Sequence, residues 1–226
     1  MLFKKILSVA FLSVLSNISC LNQASAQDKF PSKTITIVSP FSAGGGTDYL
    51  ARLLASELTK SLGQSVIVEN RPGANGMIGS NYVAKANPDG YTPVLGTVGS
   101  HGINQAVYAN VPYDTIKDFT PISLIARTPM LVLANMTVKA NNARDLVAEA
   151  SQAKVPMIYS SAGVGSVGHI AGELFSQEAG VNLIHAPYKG AAPVAIDLAG
   201  GQVPLMFGTP ISTDQHVKAG KVKISK

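Results

Sequence analysis

The sequence predicts an α/β protein whose sheets are mainly parallel. Three observations lead to this fold class. Runs rich in β-branched residues alternate with helical patterns, glycine-rich loops join strands to helices, and 46% of the residues are hydrophobic. Strands that alternate with helices are typical of parallel sheets with helices on both faces. The length suits one large domain or two small ones.

The first 26 residues predict a signal peptide and do not enter the fold. Lys4 and Lys5 precede an apolar run over residues 6–15, and Ala24-Ser25-Ala26 offers small residues for cleavage. The run is too short to span a bilayer. We therefore expect export to the periplasm. Lipidation at Cys20 is an alternative, although the three residues before it make a poor lipobox.

Composition argues against several functional classes. Cys20 is the only cysteine, so its removal with the signal peptide leaves no thiol for a disulfide, a nucleophile or a metal. The formal net charge of +5 is mild and tryptophan is absent, so nucleic-acid binding is not expected. The histidines show no metal-ligand spacing, so no metal site is predicted.

The first half of the chain alternates between extended and helical patterns. A strand at 34–39 leads through glycines to a helix from about Thr47 to Gly63, with Leu50, Leu53, Leu54 and Leu58 on one face. The other predicted elements are a strand at 66–69, a helix at 77–86 and a strand at 92–96.

The second half resumes this alternation after an irregular, proline-containing stretch. Two short apolar runs, 122–126 and 131–134, predict strands that carry the chain into a second unit. The remaining predictions are helices at 143–153, 167–178 and 191–199, and strands at 157–161, 182–186, 203–207 and 222–225.

Two glycine-rich loops are the strongest candidates for a site. In parallel sheets, ligands bind beyond the carboxyl ends of strands, where loops enter helices. The loops "PFSAGGGTD" and "SSAGVGSVGH" both occupy such positions and offer backbone N–H groups to an anion. Glycine permits positive φ, which we expect at Gly45. The structural alternative is a pair of helix starts capped by Thr47, Asp48 and Ser166, without a ligand.

The second loop also contains a literal G-x-G-x-x-G at Gly163, Gly165 and Gly168. A dinucleotide site needs an acidic residue at the end of the following strand, where this chain offers only His185. The nucleophile-elbow and P-loop patterns fail as well. No cofactor is predicted.

Five segments together resemble the Bug-type extracytoplasmic solute receptors of tripartite tricarboxylate transporters. They are "PFSAGGGTDYLARLLA", "VIVENRPGANGMIGSNYVAKANPDGYT", "DFTPISLIARTPMLVLAN", "SAGVGSVGHIAGELF" and "APYKGAAPVAIDLAGGQVPLMF". The resemblance implies a two-domain periplasmic-binding-protein-like (type II) architecture, with domains at 27–122 and 123–226. It also implies a small carboxylate, an organic acid or an amino acid, bound between the domains and delivered to a membrane permease.

The resemblance also assigns the ligand-binding residues. In the first domain they are Phe41, Ser42, Ala43, Gly44, Gly45, Gly46, Thr47 and Asp48, with Ser100 and His101 beside them. In the second domain they are Gly163, Val164, Gly165, Ser166 and His169, with Tyr188, Lys189 and Gly190 as an adjoining wall. For Tyr188 and Lys189 the alternative is a packed ring and a solvated amine.

The sequence departs from the family at its carboxyl end. Family members continue well beyond the point that corresponds to Lys226, so the resemblance implies that the second domain and a return segment to the first are incomplete. Three functions stay open at this stage: a carboxylate receptor, a shortened remnant of one that no longer binds, and an exported α/β enzyme that uses the same loops as an oxyanion site.

Overall fold

The computed structural model describes residues 29–225, and the chain from Lys33 onward forms one compact unit. The predicted signal peptide and Cys20 lie outside the described residues. The strands are β1 (Ile35–Ser39), β2 (Val66–Asn70), β3 (Leu131–Asn135), β4 (Met157–Ser161), β5 (Leu183–Pro187), β6 (Leu205–Gly208) and β7 (Val222–Ile224). The α-helices are α1 (Gly46–Leu62), α2 (Met77–Ala84), α3 (Asn104–Val107), α4 (Ala143–Gln152), α5 (Val167–Ala179), α6 (Ala191–Gly200) and α7 (Pro210–Lys218).

The described strands form two sheets. In the first sheet β1 and β2 pair in parallel, with Ile35 opposite Val66. The second sheet has the strand order β5-β4-β6-β3-β7, in which β4 runs parallel to both β5 and β6. β3 is antiparallel to β6 and β7, so this sheet is mixed. The α/β class with parallel-rich sheets is therefore confirmed, with one strand reversed.

The first sheet is covered by α1 through small side chains. Ala51 and Ala55 are buried against Ile35, Ile37 and Val66. Leu54 and Leu58 pack at the edge of this cluster, whereas Leu53 remains 51% exposed. The prediction that Leu53 faces the core is therefore wrong. Alanines let the helix axis approach the strands more closely than leucines would, and the leucines flank the contact.

The second sheet lies between two layers of helices. On one face, Leu133 and Met206 pack against Val194 and Leu198 of α6. On the other face, Ala134, Leu205 and Phe207 pack with Leu146 of α4 and Phe175 of α5. Neighbouring strand residues therefore point to opposite faces and both faces are apolar, as in sheets buried on two sides.

Several elements differ from the sequence prediction, and the short helix α3 was not predicted. Residues 122–126 form no strand: the backbone is irregular, and Ile122 and Leu124 are 86% and 69% exposed. The run at 92–96 makes only an isolated parallel bridge, Val38 to Val94, beside a proline that cannot donate to a ladder. Helix α7 was missed, because its sequence "PISTDQHVK" lacks a clear apolar stripe.

The predicted domain boundary between residues 122 and 123 stays a prediction. Each sheet has its own core cluster, but residues beyond Lys33 cluster as one unit.

Close packing of α5 on the second sheet yields a stability prediction. A Cβ at Gly168 would overlap the carbonyl oxygen of Phe207, a backbone atom that cannot move aside. Gly168→Ala should lower the free energy of unfolding by about 1–3 kcal/mol, measured by urea denaturation. Gly200→Ala is the matched control: nothing lies within 4 Å of that Cβ, so stability should hold or rise by up to about 1 kcal/mol. Equal effects of the two substitutions would contradict this packing.

Candidate functional site

The first glycine-rich loop turns between the end of β1 and the start of α1. Gly44 has φ +79°, in the left-handed region, whereas Gly45 is the N-cap of α1 with φ −81° and ψ 170°. The expectation of positive φ at Gly45 is therefore wrong, and Gly44 takes that conformation. The reason is local, because an N-cap residue normally adopts an extended backbone and the turn comes one residue earlier.

Asp48 organises this loop from inside α1. Its carboxylate accepts hydrogen bonds from the Gly44 amide at 2.9 Å, Arg52 Nε at 3.0 Å and Asn70 Nδ2 at 2.9 Å. Burial raises the pKa of Asp48, but the bonds from Arg52, Gly44 and Asn70 outweigh burial and hold the pKa below its usual value. Asp48 is therefore ionised and paired, and its side chain is 5% exposed. Whether it also touches a ligand stays a prediction.

The first loop packs against the segment Tyr188–Gly190. Ser42 Oγ donates to the carbonyl oxygen of Lys189 at 2.6 Å. A Cβ on Gly190, which has φ +136°, would overlap Ser42 Oγ. Only glycine allows this approach. The predicted wall at 188–190 therefore lies directly beside the predicted first loop.

The second glycine-rich loop joins β4 to α5 and satisfies its own amides. Gly163 N donates to Ser161 Oγ at 3.2 Å, and Gly165 N donates to His169 Nδ1 at 3.1 Å. Ser166 is the N-cap of α5 and accepts from His169 N at 3.2 Å. The capping role considered for Ser166 is thus present in the structure. Val164 is exposed on the loop.

Residues His169 and His185 lie beneath this loop with their rings stacked, the centroids 4.1 Å apart. Ser161 Oγ lies 2.7 Å from His185 Nε2, and Tyr159 stacks on the other side of His185 at 4.9 Å. Tyr159 in turn donates to Glu173 at 2.5 Å. Burial, helped by the neighbouring His169, lowers the pKa of His185 to about 4, so its imidazole is neutral at pH 7.

Ser100 and His101 lie in a π-helical turn, Gly99–Ile103. The Ser100 hydroxyl is fully buried and lies 2.9 Å from His101 Nδ1. The His101 ring packs edge-on against Phe119, with centroids 4.7 Å apart. Burial lowers the pKa of His101, which favours the neutral ring. Their predicted contact with a ligand stays a prediction.

Tyr188 and Lys189 fit the alternative of a packed ring and a solvated amine. The Tyr188 hydroxyl donates to Asp197 at 2.6 Å, and this bond with burial raises the pKa of Tyr188 to about 12. The Tyr188 ring packs against the α6 side of the core, while Lys189 is exposed. The backbone of this segment, rather than its side chains, meets both loops.

A buried asparagine that the sequence analysis did not select lies against the second loop. Asn75 is 5% exposed and has φ 48°, which is unusual outside glycine. A Cβ at Gly163 would lie 3.9 Å from Asn75 N, and one at Gly165 would lie 3.3 Å from Asn75 Nδ2. The turn-rich "NRPGANG" was the available signal, since asparagine tolerates the left-handed region better than most residues.

The predicted segments therefore form one ring of contacts. The first loop meets 188–190, which meets the second loop through Tyr188 N and Ser161 O at 3.1 Å. The second loop meets Asn75, and the adjacent Gly76 packs under Phe41 and Ser100.

The first amides of α1 and α5 have no intrahelical acceptor, and both helix dipoles favour an anion there. These amides belong to Gly46, Thr47, Val167 and Gly168. Ala43 is exposed on the first loop.

Comparison with known proteins places this geometry in a family. The profile described as the tripartite tricarboxylate transporter family receptor matches residues 50–225. The chain belongs to that family. A curated relative, BugT of Bordetella pertussis, is 32% identical over 87% of this chain and 60% of its own length. The Bug-type resemblance is thereby confirmed.

Two solved structures are similar throughout the described fold. An R. palustris protein with adipate has a TM-score of 0.85 and 39% identity, covering 87% of this chain and 66% of that one. MatC from Rhodopseudomonas palustris with bound malate has a TM-score of 0.81 and 34% identity, covering 86% and 66%. The similarity to these and to the periplasmic binding protein BugD confirms the periplasmic-binding-protein-like fold. The chain spans 61% of the length of a curated relative from Agrobacterium vitis.

Residues 29–225 contain neither a candidate metal site nor a helix able to span a membrane. No group of three or more His, Cys, Asp or Glu side chains is arranged to hold a metal ion. None of the described helices combines the length and apolar character needed to cross a bilayer.

The conformations of Gly44 and Gly45 predict opposite tolerance to a side chain. Gly44→Ala should cost about 1–2 kcal/mol in unfolding free energy, because alanine is strained at φ +79°. Gly45→Ala should change stability by less than about 0.5 kcal/mol, since its φ is ordinary and the nearest atom to a Cβ is 3.4 Å away. Urea denaturation of both variants measures this difference, and a larger loss at Gly45 would refute the assigned turn.

The partly buried His185 predicts a pH dependence of stability. The folded pKa of His185, about 4, lies below its unfolded value of about 6.5, so the unfolded chain binds the extra proton first. The corresponding stability, on the order of 1–2 kcal/mol after discounting for solvent screening of this partly exposed ring, is present at pH 7 and is lost as pH falls from about 6.5 to about 4. Urea denaturation at several pH values across this window measures the unfolding free energy. In His185→Gln, this free energy should change less with pH than in the wild type. An unchanged pH dependence in His185→Gln would contradict the neutral state assigned to this ring.

Proposed function

We propose that this protein is an extracytoplasmic solute-binding protein that captures a small carboxylate for a tripartite tricarboxylate-type transporter. The observation that supports the proposal is the ring of contacts that joins the loop before α1, the segment 188–190 and the loop before α5. Family membership supports the receptor role, and two similar proteins are described with adipate and with malate. The ligand would bind between the two predicted domains, and a membrane permease would receive it in the periplasm.

The binding mechanism follows from which amides are already used. Gly44, Gly163 and Gly165 donate to Asp48, Ser161 and His169, so these glycines shape the loops. The amides that remain for a carboxylate are those of the first helical turns, at 46–47 and 167–168. Charge-assisted bonds to such amides contribute roughly 1.5–3 kcal/mol each, and about three of them suffice for micromolar affinity.

The alternative of an exported enzyme would need an accessible nucleophile beside a base. Ser161 and His185 are at hydrogen-bond distance, 2.7 Å, as a serine and its base would be. However, Ser161 is fully buried, and its hydroxyl oxygen also accepts from Ser166 Oγ at 3.1 Å and from Gly163 N. A hydroxyl enclosed in this way holds the loop in place and has no path to a substrate. We therefore propose a receptor role rather than an enzymatic one.

The carboxylate itself provides the first test. Malate, adipate and succinate are titrated by calorimetry and thermal melting, with the corresponding diamides as uncharged controls. A ligand at about 100 times its Kd should raise the melting temperature by roughly 5–10 °C, since it binds only the folded state. A cooperative melt that no carboxylate shifts would refute the proposal.

Single amides can be removed to test the mechanism. Val167 is the first residue of α5, where proline is tolerated, and Ser166 before it has a proline-compatible φ of −69° and ψ of 157°. Val167→Pro deletes one N–H and should weaken carboxylate binding about tenfold or more. Val167→Ala keeps the N–H and should stay within about threefold of wild type. Similar affinities in the two variants would exclude the α5 N-terminus as a donor.

A further inference from the structure

The peptide group between Val164 and Gly165 is held at both ends. Tyr108 donates its hydroxyl to the Val164 carbonyl oxygen at 2.9 Å. On the opposite edge of the same peptide plane, Gly165 N donates to His169 Nδ1 at 3.1 Å. A peptide group is rigid, so two bonds on opposite edges fix its orientation. Ser166 and the start of α5 follow directly from this fixed plane.

Tyr108 comes from a different part of the fold than the loop it holds. Tyr108 is the C-cap of α3 and lies before the predicted domain boundary at 122–123. Val164 belongs to the loop after β4. The Tyr108 side chain is partly buried, and its bond to the Val164 carbonyl lies at the exposed edge of the loop. Through this hydrogen bond to the second loop, Tyr108 connects residues of the two predicted domains.

Two asparagines complete the surface against which the second loop lies. Asn75 Nδ2 donates to Asn104 Oδ1 at 2.8 Å, and Asn104 Nδ2 donates back to the Asn75 carbonyl at 3.2 Å. A Cβ at Gly165 would lie 3.2 Å from Asn104 Oδ1 and 3.3 Å from Tyr108 Cε2. The loop is thus fitted closely to all three side chains, which explains why this position is a glycine with φ +76°.

The backbone of Asn75 is itself held in an uncommon state. Ala74 and Asn75 have φ of 47° and 48°, a conformation that non-glycine residues adopt mainly where the surroundings impose it. Asn75 Oδ1 is buried without a hydrogen-bond partner among the described residues, which is rare for a side-chain acceptor. Such features concentrate at binding sites.

We propose that Tyr108 and Asn75 are positioning residues for ligand binding: Tyr108 fixes the Val164–Gly165 peptide plane, and Asn75 forms the surface that holds Gly165. They act through the second loop, because the orientation of this plane sets the direction of the α5 amides. The inference rests on the proposed carboxylate function for its effect on affinity. Its effect on the loop itself does not depend on any ligand.

The test is Tyr108→Phe, which keeps the ring against Gly165 and removes only the hydroxyl. Amide hydrogen exchange of residues 163–167 is measured in the ligand-free protein, and malate and adipate affinities are measured by calorimetry. We expect at least fivefold faster exchange in this segment and a fivefold to tenfold higher Kd, mainly through faster dissociation. Tyr82→Phe, which changes a tyrosine on α2 that is 40% exposed, is the control and should alter neither quantity.

Asn75→Gly provides the second variant, because glycine keeps the positive φ and removes the side chain. It should also accelerate exchange at 163–167 and raise Kd. Unchanged exchange in both variants would overturn the positioning role, even if affinity fell, because the effect would then be a direct ligand contact. If the wild-type protein binds no carboxylate, the proposed function fails, while the exchange measurements still decide whether Tyr108 and Asn75 position the loop.

Discussion

The need to satisfy backbone amides at two tight turns governs the site. Each glycine turn contains N–H groups for which the following helix offers no acceptor. A buried N–H donor without an acceptor is costly in free energy. Nearby side chains supply the missing acceptors. Asp48 accepts from the Gly44 amide, and in the second loop Ser161 and His169 accept from the amides of Gly163 and Gly165. The loops are therefore built before any ligand arrives, and only the helix-start amides remain for an anion.

The charges of the candidate site are arranged so that an anion is not repelled. Asp48 would be unfavourable near a carboxylate, but Arg52 lies 3.0 Å away and compensates its charge. His185 is kept neutral by burial and by the stacked His169. Lys189 is exposed beside the ring of contacts. In the proposed site, the attraction for an anion would come mainly from oriented peptide dipoles. Peptide dipoles cannot be deprotonated, so binding of this kind varies less with pH than binding to a titratable side chain.

The differences between the predicted and the observed elements have identifiable causes. The run 122–126 is apolar, but it pairs with no strand in residues 29–225, and Ile122 stays exposed. The apolar sequence of β3 would also suit a parallel strand, but β3 runs antiparallel to β6. Strand direction depends on the connection between the two strands and not on the local sequence pattern. Gly45 differs in a similar way. Three consecutive glycines do not reveal which one takes positive φ until the N-cap of α1 is located.

The sequence by itself determined the α/β class, most helices and strands, both glycine-rich loops and the resemblance to the receptor family. These features are local, since periodicity, turn residues and short motifs lie within a few positions of one another. Only the tertiary structure decided that the Gly44 amide belongs to Asp48, that Tyr188 bonds to Asp197, and that Asn75 and Tyr108 lie against the second loop. Tyr108 and Val164 are 56 residues apart, and Ser42 and Lys189 are 147 apart. Contacts between residues so distant in the chain depend on how the sheets and helices pack, which no short stretch of sequence specifies.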